Sequence, residues 1–541
     1  MLSSSPRSLR PLLGSLASTA GDVFGIGPLT NSSSDVSLSV LQGWMTECVS
    51  DHNCGCLEGS SGEDVTADPE LPTRILEIST SPGPLSLRLI EPRGMRGRYA
   101  ALSHCWGPPD KQPLRTTKAT YAQHLAGIAA TELPKTFREA TRVARAVGLR
   151  YLWIDSLCII QDDRADWTNE APRMGPLYGK AALVIAASGA TDSTQGCFLP
   201  RRCPGPELRI PYPGTEESGQ EAHVVLQVTL PYTKGSPIFS PLGKRGWVLQ
   251  EWLLARRLVH YSAAGMTWTC QRVEDMSEAG IHSSRTWVER DMTWDNVIEH
   301  FTIRHLTVVA DKTMAVQGLA DSMRRNRETD AYHHGMWTAD MPQQLLWVGN
   351  RTTRPKELEN VPTWSWASTD GHCLTLSKRR LPWEPKPATL AMEKGGRELV
   401  LGCRSKRCAL KKWKELTWQV VKEEAPLSDA YAPLSLTNIL RAHFSQKMTY
   451  LMLDKETRKT VGVAMLDDEK AAGDHVQDCS VAFLMGEVRG ERDTQPALTS
   501  VSLVLQEVTS SSKGTYKRLG VGLVVDEAWI RGGTEEIFRI Y

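Results

Sequence analysis

The chain has 541 residues, more than one hydrophobic core normally serves, so two or three domains are expected. Its formal net charge of +1 excludes a general attraction to nucleic acid or anionic membrane, and no apolar run approaches the roughly 20 residues of a membrane-spanning helix. The 17 tryptophans each need a large cavity and a partner for the indole N–H, which favours rigid, well-packed cores.

The N-terminal part of the chain is predicted to be a disordered tail over residues 1–36. Ser and Leu are abundant there and the first acidic residue is Asp22, so a weak transit peptide is the alternative. A flanking segment follows over residues 37–96. The spacing of its apolar residues, among them Leu41 and Trp44, predicts a helix from Val36 to Cys48.

Four potential metal ligands follow this helix, namely Cys48, His52, Cys54 and Cys56. Zinc sites usually combine two well-separated ligand pairs, and no second pair lies nearby in the sequence. This favours a packed cluster without metal over a zinc site. Cys105 and Cys158 lie in apolar, strand-like runs and are expected to be buried reduced thiols, as in a protein of the reducing cytoplasm.

A domain with an α/β fold is predicted over residues 97–252, because strand-like and helix-like patterns alternate there. Helices are expected after Pro134 and after Asp166, which would cap the second of them, and Pro172 would kink that helix. The predicted strands are Tyr99–Cys105, Tyr151–Asp155 and Leu183–Ala187. Together these elements predict a parallel sheet flanked by helices.

Residues 253–541 are predicted to form a C-terminal α+β module that is first helical, around Ala315–Met323 and Leu345–Trp347, and then strand-rich. A basic run over Arg404–Lys414 favours a solvated strand edge, with a nucleic-acid patch as the alternative. The strand-like runs are Trp364–Trp366, Leu399–Gly402, Leu451–Leu453, Val481–Leu484, Val501–Leu505 and Leu519–Val525.

Five sequence blocks stand in order along the chain: Tyr99–Gly107, Leu133–Asp163, Asp166–Tyr178, Arg245–Glu251 and Pro362–Ser368. Together they resemble the fungal heterokaryon incompatibility (HET) domain, and the resemblance covers about residues 44–368. The resemblance implies a protein of a filamentous fungus that acts in nonself recognition and regulated cell death. It also implies a fold distantly similar to the TIR domain. Trp252, where a basic residue is more usual, and Pro172 depart from the family pattern.

The resemblance to TIR makes Glu170 the candidate catalytic residue of an NAD⁺ hydrolase. Trp167 lies one helical turn before it, and an aromatic wall beside a carboxylate suits cleavage of the nicotinamide–ribose bond through a cationic transition state. A solvated acid favoured by the helix dipole is the alternative for Glu170. NAD⁺ is the expected substrate in that case, and neither a cofactor nor a metal is expected.

Ligands of a parallel sheet normally bind at the carboxyl ends of its strands. The expected substrate-binding residues are therefore Ser103, His104, Cys105, Trp106, Gly107, Asp155, Ser156 and Trp167.

Structural roles remain open for several of these residues. Trp106 could simply cap the core, and Asp155 could cap the turn that follows it. Arg245 and Glu251 are expected to be structural, as a pair that holds a helix to the sheet. His104 and Cys105 are adjacent, so they cannot form a dyad within one strand. The rings of Trp364 and Trp366 are expected in the core.

The chain carries no Walker phosphate loop, no Gly-x-Gly-x-x-Gly dinucleotide fingerprint, no His-Glu-x-x-His zinc motif and no Gly-x-Ser-x-Gly nucleophile elbow. Two functions remain: NAD⁺ hydrolysis on oligomerisation, or a death-signalling module that acts by self-association without chemistry. Either one implies self-association and an upstream sensor protein as partners, with no nucleic acid and no membrane span.

Overall fold

The computed structural model describes residues 31–51, 54, 68–79, 85–200, 207–212, 222–227, 237–271, 276–277, 293–375, 389–413, 449–468, 475–484, 500–508, 514–524 and 526–541. Residues 1–30 of the predicted tail lie outside the described residues. The chain divides into two compact units, Met1–Arg290 and Asp291–Tyr541. No helix in the described ranges is long and apolar enough to cross a membrane.

The first unit is built on a nine-stranded mixed sheet with the strand order β11-β10-β9-β6-β3-β5-β1-β2-β4. Its strands are β1 Ile75–Ile78, β2 Ser86–Ile90, β3 Tyr99–Ser103, β4 Ile128–Ala129, β5 Tyr151–Trp153, β6 Leu183–Ala186, β9 Arg257–Ser262, β10 Gly265–Cys270 and β11 Met276–Ser277. A separate hairpin pairs β7 Glu207–Tyr212 with β8 Ala222–Gln227. The helices are α1 Asp35–Ser50, α2 Tyr121–Ala126, α3 Lys135–Ala146, α4 Asp155–Cys158, α5 Arg164–Glu170, α6 Met174–Lys180 and α7 Val248–Leu253.

The centre of this sheet confirms the predicted α/β fold. Strand β3 pairs in parallel with β5 on one side and with β6 on the other, and β6 pairs in parallel with β9. Every residue of β3, β5 and β6 is buried, which explains why these strands are continuous apolar runs in the sequence. Strand β9 lies beyond residue 252, the predicted end of the domain, and the first unit continues to Arg290.

The helix that was predicted to begin after Asp166 is α5, and it begins and ends at other residues than predicted. Asp163, not Asp166, caps α5, because its carboxylate accepts the backbone N–H groups of Ala165 and Asp166. The helix stops at Glu170, and a 3₁₀ turn over Ala171–Arg173 containing Pro172 separates it from α6. Asp166 instead pairs with Arg74 at 2.6 Å, a contact across 92 residues that local sequence pattern does not contain.

The second unit contains four helices in its described part, α8 Trp294–Thr302, α9 Met314–Arg324, α10 Met341–Gln344 and α11 Glu527–Arg531. Short strand pairs join β12 Tyr332–His333 to β13 Met336–Trp337, and β14 Val348–Thr353 to β15 Asp370–Leu374. The large sheet has eight strands: β16 Thr389–Glu393, β17 Glu398–Trp413, β18 Thr449–Asp454, β19 Thr460–Leu466, β20 His475–Leu484, β21 Ser500–Glu507, β22 Thr515–Val524 and β23 Thr534–Ile540.

The strand-rich end of the second unit confirms the predicted module, with two corrections. Trp364 and Trp366 are fully buried as expected, but they lie in a turn and a 3₁₀ helix rather than in a strand. The basic run lies in β17 up to Trp413 and is not a sheet edge, because β18 and β20 pair with the same stretch from Cys408 to Lys411.

Candidate functional site

A buried polar cluster lies at the carboxyl end of β3. The Ser103 hydroxyl donates to Oε2 of Glu251 at 2.5 Å, and the indole N–H of Trp252 donates to the Ser103 oxygen at 3.3 Å. Glu251 and Trp252 both belong to α7, so these bonds fix that helix over the end of the strand. Ser103 has no exposed surface and Glu251 is 5% exposed.

The carboxyl group of Glu251 takes up a proton near neutral pH. Burial raises its pKa to about 7, against the opposing effects of the Arg245 charge and of hydrogen bonds with Ser103 and Tyr178. Tyr178, from α6, is itself buried, and burial raises its pKa well above the usual value. A carboxyl with a pKa near 7 is suited to exchange protons, but this one is enclosed by protein.

His104 lies beside this cluster as a neutral imidazole. Burial lowers its pKa to about 4, and its ring packs edge-on against Phe137 with the centroids 5.1 Å apart. Its Nδ1 is 3.7 Å from Oδ1 of Asp155, and neither ring nitrogen has a hydrogen-bond partner within the described part of the chain. Arg245 donates to the backbone carbonyl of His104 and so ties the segment before α7 to the same strand end.

Trp106 and Asp155 are joined directly. The indole N–H of Trp106 donates to Oδ2 of Asp155 at 2.8 Å, while Oδ1 accepts the backbone N–H of Ser156 at 2.7 Å. The Ser156 hydroxyl donates to the carbonyl of Leu114 at 3.0 Å. Asp155 therefore holds the Trp106 loop against the first turn of α4, and Trp106 remains half-buried.

Cys105 does not have the surroundings of a nucleophile. It is 7% exposed, and burial raises the pKa of its thiol to about 11, so the thiolate is scarce at neutral pH. His260, a distant histidine that could have served it as a base, shares a 2.8 Å hydrogen bond with Ser188. His282, the other such histidine, lies outside the described residues.

Gly107 is required by the shape of the loop after β3. Its φ of +86° lies in the left-handed region, and a Cβ atom added there would be 2.6 Å from the Cβ of Asp192. Asp192 is fixed in turn by the backbone N–H and the hydroxyl of Thr194, which both bond one of its carboxylate oxygens. The loop and the Asp192 turn therefore cannot separate easily to admit a side chain.

Replacing Gly107 by Ala is expected to lower the thermal midpoint of the chain by more than replacing Gly94 does. Gly94 is the matched control, because its φ is +84° but nothing lies within 4 Å of the added Cβ. Gly94→Ala should cost about 1 kcal/mol for backbone strain alone, and Gly107→Ala about 1–3 kcal/mol more for overpacking. Equal midpoints for the two variants would contradict the close approach of Asp192.

Glu170 and Trp167 lie on α5, in different surroundings. Glu170 is not the solvated acid that the sequence offered as an alternative, because it is the last residue of α5 and only 5% exposed. Its Oε1 is 3.7 Å from Nη1 of Arg173. Burial lowers the pKa of Arg74, but the Asp166 hydrogen bond and the negative charges of Asp166 and Glu170 raise that pKa by more. Trp167 is half-buried.

The structure thus brings together four of the sequence-predicted residues, Ser103, His104, Trp106 and Asp155, at one strand end. It adds three that were not predicted to bind substrate, Glu251, Arg245 and Tyr178. No hydrogen bond or ion pair in the described ranges joins Glu170 to this group. The two sites share one electrostatic neighbour: burial raises the pKa of the Cys158 thiol to about 12, and the charges of Asp155 and Glu170 both add to that rise. The sequence signal was the Arg245–Glu251 block for Arg245 and Glu251, and the Asp166–Tyr178 block for Tyr178.

A known protein family matches the part of the chain that contains this cluster. Residues 99–251 match the model of the family described as heterokaryon incompatibility protein (HET), a range that begins with β3 and ends within α7. Neither the curated proteins nor the solved structures contain a match to this chain. The strand end with Ser103, the Trp106 loop, Asp155 and Glu251 all fall inside the matched range. The chain therefore carries a domain of the heterokaryon incompatibility family over residues 99–251.

Proposed function

We propose that this protein acts in nonself recognition between fungal hyphae and triggers regulated cell death. The observation that carries the proposal is the family match, because it covers the parallel strands β3, β5 and β6 and the polar cluster around Ser103 except for Trp252. The trigger is expected to be self-association of the domain once an upstream sensor protein brings copies together. The high burial of β3, β5 and β6 is consistent with a rigid domain that signals as a unit.

We propose further that the death signal is cleavage of NAD⁺, with Glu170 as the carboxylate that stabilises the cationic ribose. Trp167 lies one turn earlier on α5 and is half-exposed, so its ring is available to a leaving nicotinamide. A buried carboxylate acts more strongly on a developing positive charge than a solvated one, because less water screens it. Trp106 and Asp155 would contact the remainder of the substrate.

The alternative is a death-signalling module without chemistry, and one observation favours it. Ser103, His104 and Glu251 are buried to at least 95%, and their hydrogen bonds and ring contacts are made with other side chains of the domain. Such a cluster stabilises a fold and leaves little surface for a substrate. In this case self-association alone would transmit the signal.

The two functions are separated by incubating the purified chain with NAD⁺ and following free nicotinamide, with and without forced oligomerisation through a fused dimeriser. Nicotinamide that appears only after oligomerisation supports the enzyme. Cell killing by the oligomerised protein while cellular NAD⁺ stays constant supports the module.

Glu170→Gln is expected to lower NAD⁺ cleavage by about 10², because the variant keeps the shape of the side chain and loses the charge. Gln is preferred to Ala, since Glu170 is buried and truncation would leave a cavity next to Ala171 and Met174, which are also buried. Glu251→Gln is the matched control, an equally buried acid in the other cluster, and it should retain cleavage. Loss of activity in the control with full activity in Glu170→Gln would assign the chemistry to Glu251 instead.

A further inference from the structure

Three buried cysteines from distant parts of the first unit meet at one point. Cys48 lies in the last turn of α1, Cys54 follows that helix, and Cys270 is the last residue of β10. Their sulfur atoms all lie within 4.8 Å of one another, and the three residues are at most 6% exposed. From the sequence a packed cluster of Cys48, His52, Cys54 and Cys56 was favoured. Cys270, more than 200 residues away, was not considered, and His52 and Cys56 lie outside the described residues.

We infer that Cys48, Cys54 and Cys270 are three of the ligands of a structural zinc ion that fixes helix α1 to strand β10 of the sheet. Zinc–thiolate bonds of about 2.3 Å in a tetrahedral site place the sulfur atoms about 3.8 Å apart, so only small side-chain shifts separate this arrangement from a coordinated one. A disulfide would use two of the sulfurs at about 2.05 Å and exclude the third.

The neighbouring charge supports a metal rather than a simple packed cluster. Arg257, on β9 directly opposite Cys270, donates from Nε to the sulfur of Cys48 at 3.2 Å and from Nη2 to the carbonyl of Cys54 at 3.0 Å. It is only 8% exposed. Three thiolates, one Zn²⁺ and one guanidinium sum to zero charge, which is the balance that a buried ionic site requires. An N–H donor to a ligand sulfur is also the usual outer support of a metal site.

Without a metal the Cys48 thiol is expected to stay protonated. The hydrogen bond with Cys270 and burial both raise the pKa of the Cys48 thiol, and the charge of Arg257 only partly opposes them. Cys48 is therefore a poor nucleophile, and zinc binding would release its proton. Trp44, one helical turn before Cys48, and Trp268, two residues before Cys270, are both buried and pack with their ring centroids 6.2 Å apart.

The test is the zinc content of the full chain, purified under reducing conditions and measured by elemental mass spectrometry. About one zinc per chain is expected, with a roughly tenfold lower content in Cys48→Ala and in Cys270→Ala. The matched control is Cys197→Ala, a buried cysteine of the same unit that should keep its zinc. Arg257→Gln should bind zinc about 10–100-fold more weakly, because it removes the guanidinium charge and its N–H donor to sulfur.

A second measurement uses only the native chain and so does not depend on whether a variant folds. The native chain is treated with an alkylating reagent in the presence and absence of added zinc, and the modified cysteines are mapped by mass spectrometry. Protection of Cys48, Cys54 and Cys270 by zinc, together with tetrahedral thiolate bands when cobalt(II) replaces it, supports the site. Zinc-free protein without cobalt bands after reconstitution, protection of other cysteines only, or a disulfide among the three would overturn it.

Discussion

Replacing Arg518 by Met is expected to destabilise the second unit by about 3–5 kcal/mol, because it leaves the buried carboxylate of Asp467 without its main counter-charge. Arg518 is fully buried on β22 and binds both oxygens of Asp467, at 2.8 and 3.1 Å. Burial lowers the pKa of Arg518, and the Asp467 charge opposes that effect. Its remaining N–H groups donate to the carbonyls of Leu345 and Trp347 at 2.5 Å, and its guanidinium lies 3.7 Å from the centre of the Trp347 ring.

The loss can be measured by denaturant unfolding of the full chain with amide hydrogen exchange followed in β14 and β22. Arg354→Ala is the control, since Arg354 also contacts Asp467, at 3.1 Å, but its side chain is 21% exposed, and the cost should be about 1 kcal/mol. Combining Arg518→Met with Asp467→Leu removes both buried charges and should recover part of the lost stability. A loss below about 1 kcal/mol in Arg518→Met would contradict the buried pair.

Glu251→Gln is expected to stabilise the first unit at alkaline pH and not at acidic pH. The pKa of Glu251 rises from 4.5 to about 7 on folding, so the folded state binds this proton more tightly than the unfolded state. The resulting stability is fully present below pH 4.5 and is lost as the pH rises through about 7. At 1.36 kcal/mol per pH unit the whole loss is about 3 kcal/mol. Gln carries no charge and keeps the shape of the side chain, so its stability should lack this dependence.

The measurement is the difference in unfolding free energy between the variant and the native chain, at about pH 5 and about pH 8. The comparison also removes a second pH effect. Burial lowers the pKa of His104 to about 4 and that of His260 to about 3, so both chains lose stability as the pH falls below the usual histidine range. An equal difference at the two pH values would show that the buried carboxyl of Glu251 is not perturbed.

The parallel strands could be predicted because burial on both faces makes each of them a continuous apolar run, which is visible in the sequence. The polar side-chain pairs could not be predicted in this way. Ser103 binds Glu251 across 148 residues and Arg74 binds Asp166 across 92, and such pairs follow from the packing of elements rather than from local spacing. The burial of Glu170 was missed for the same reason, because it depends on which elements pack over the end of α5.

Two strands outside the family-matched range determine how long a segment must be for its central sheet to remain paired when it is transferred between genes. The range 99–251 contains β3, β5 and β6 but omits β1, which pairs with β5, and β9, which pairs with β6. A segment cut at those limits would carry two unpaired apolar edges, which are templates for aggregation. A transferred segment that runs at least from Ile75 to Cys270 would keep both of these edges paired.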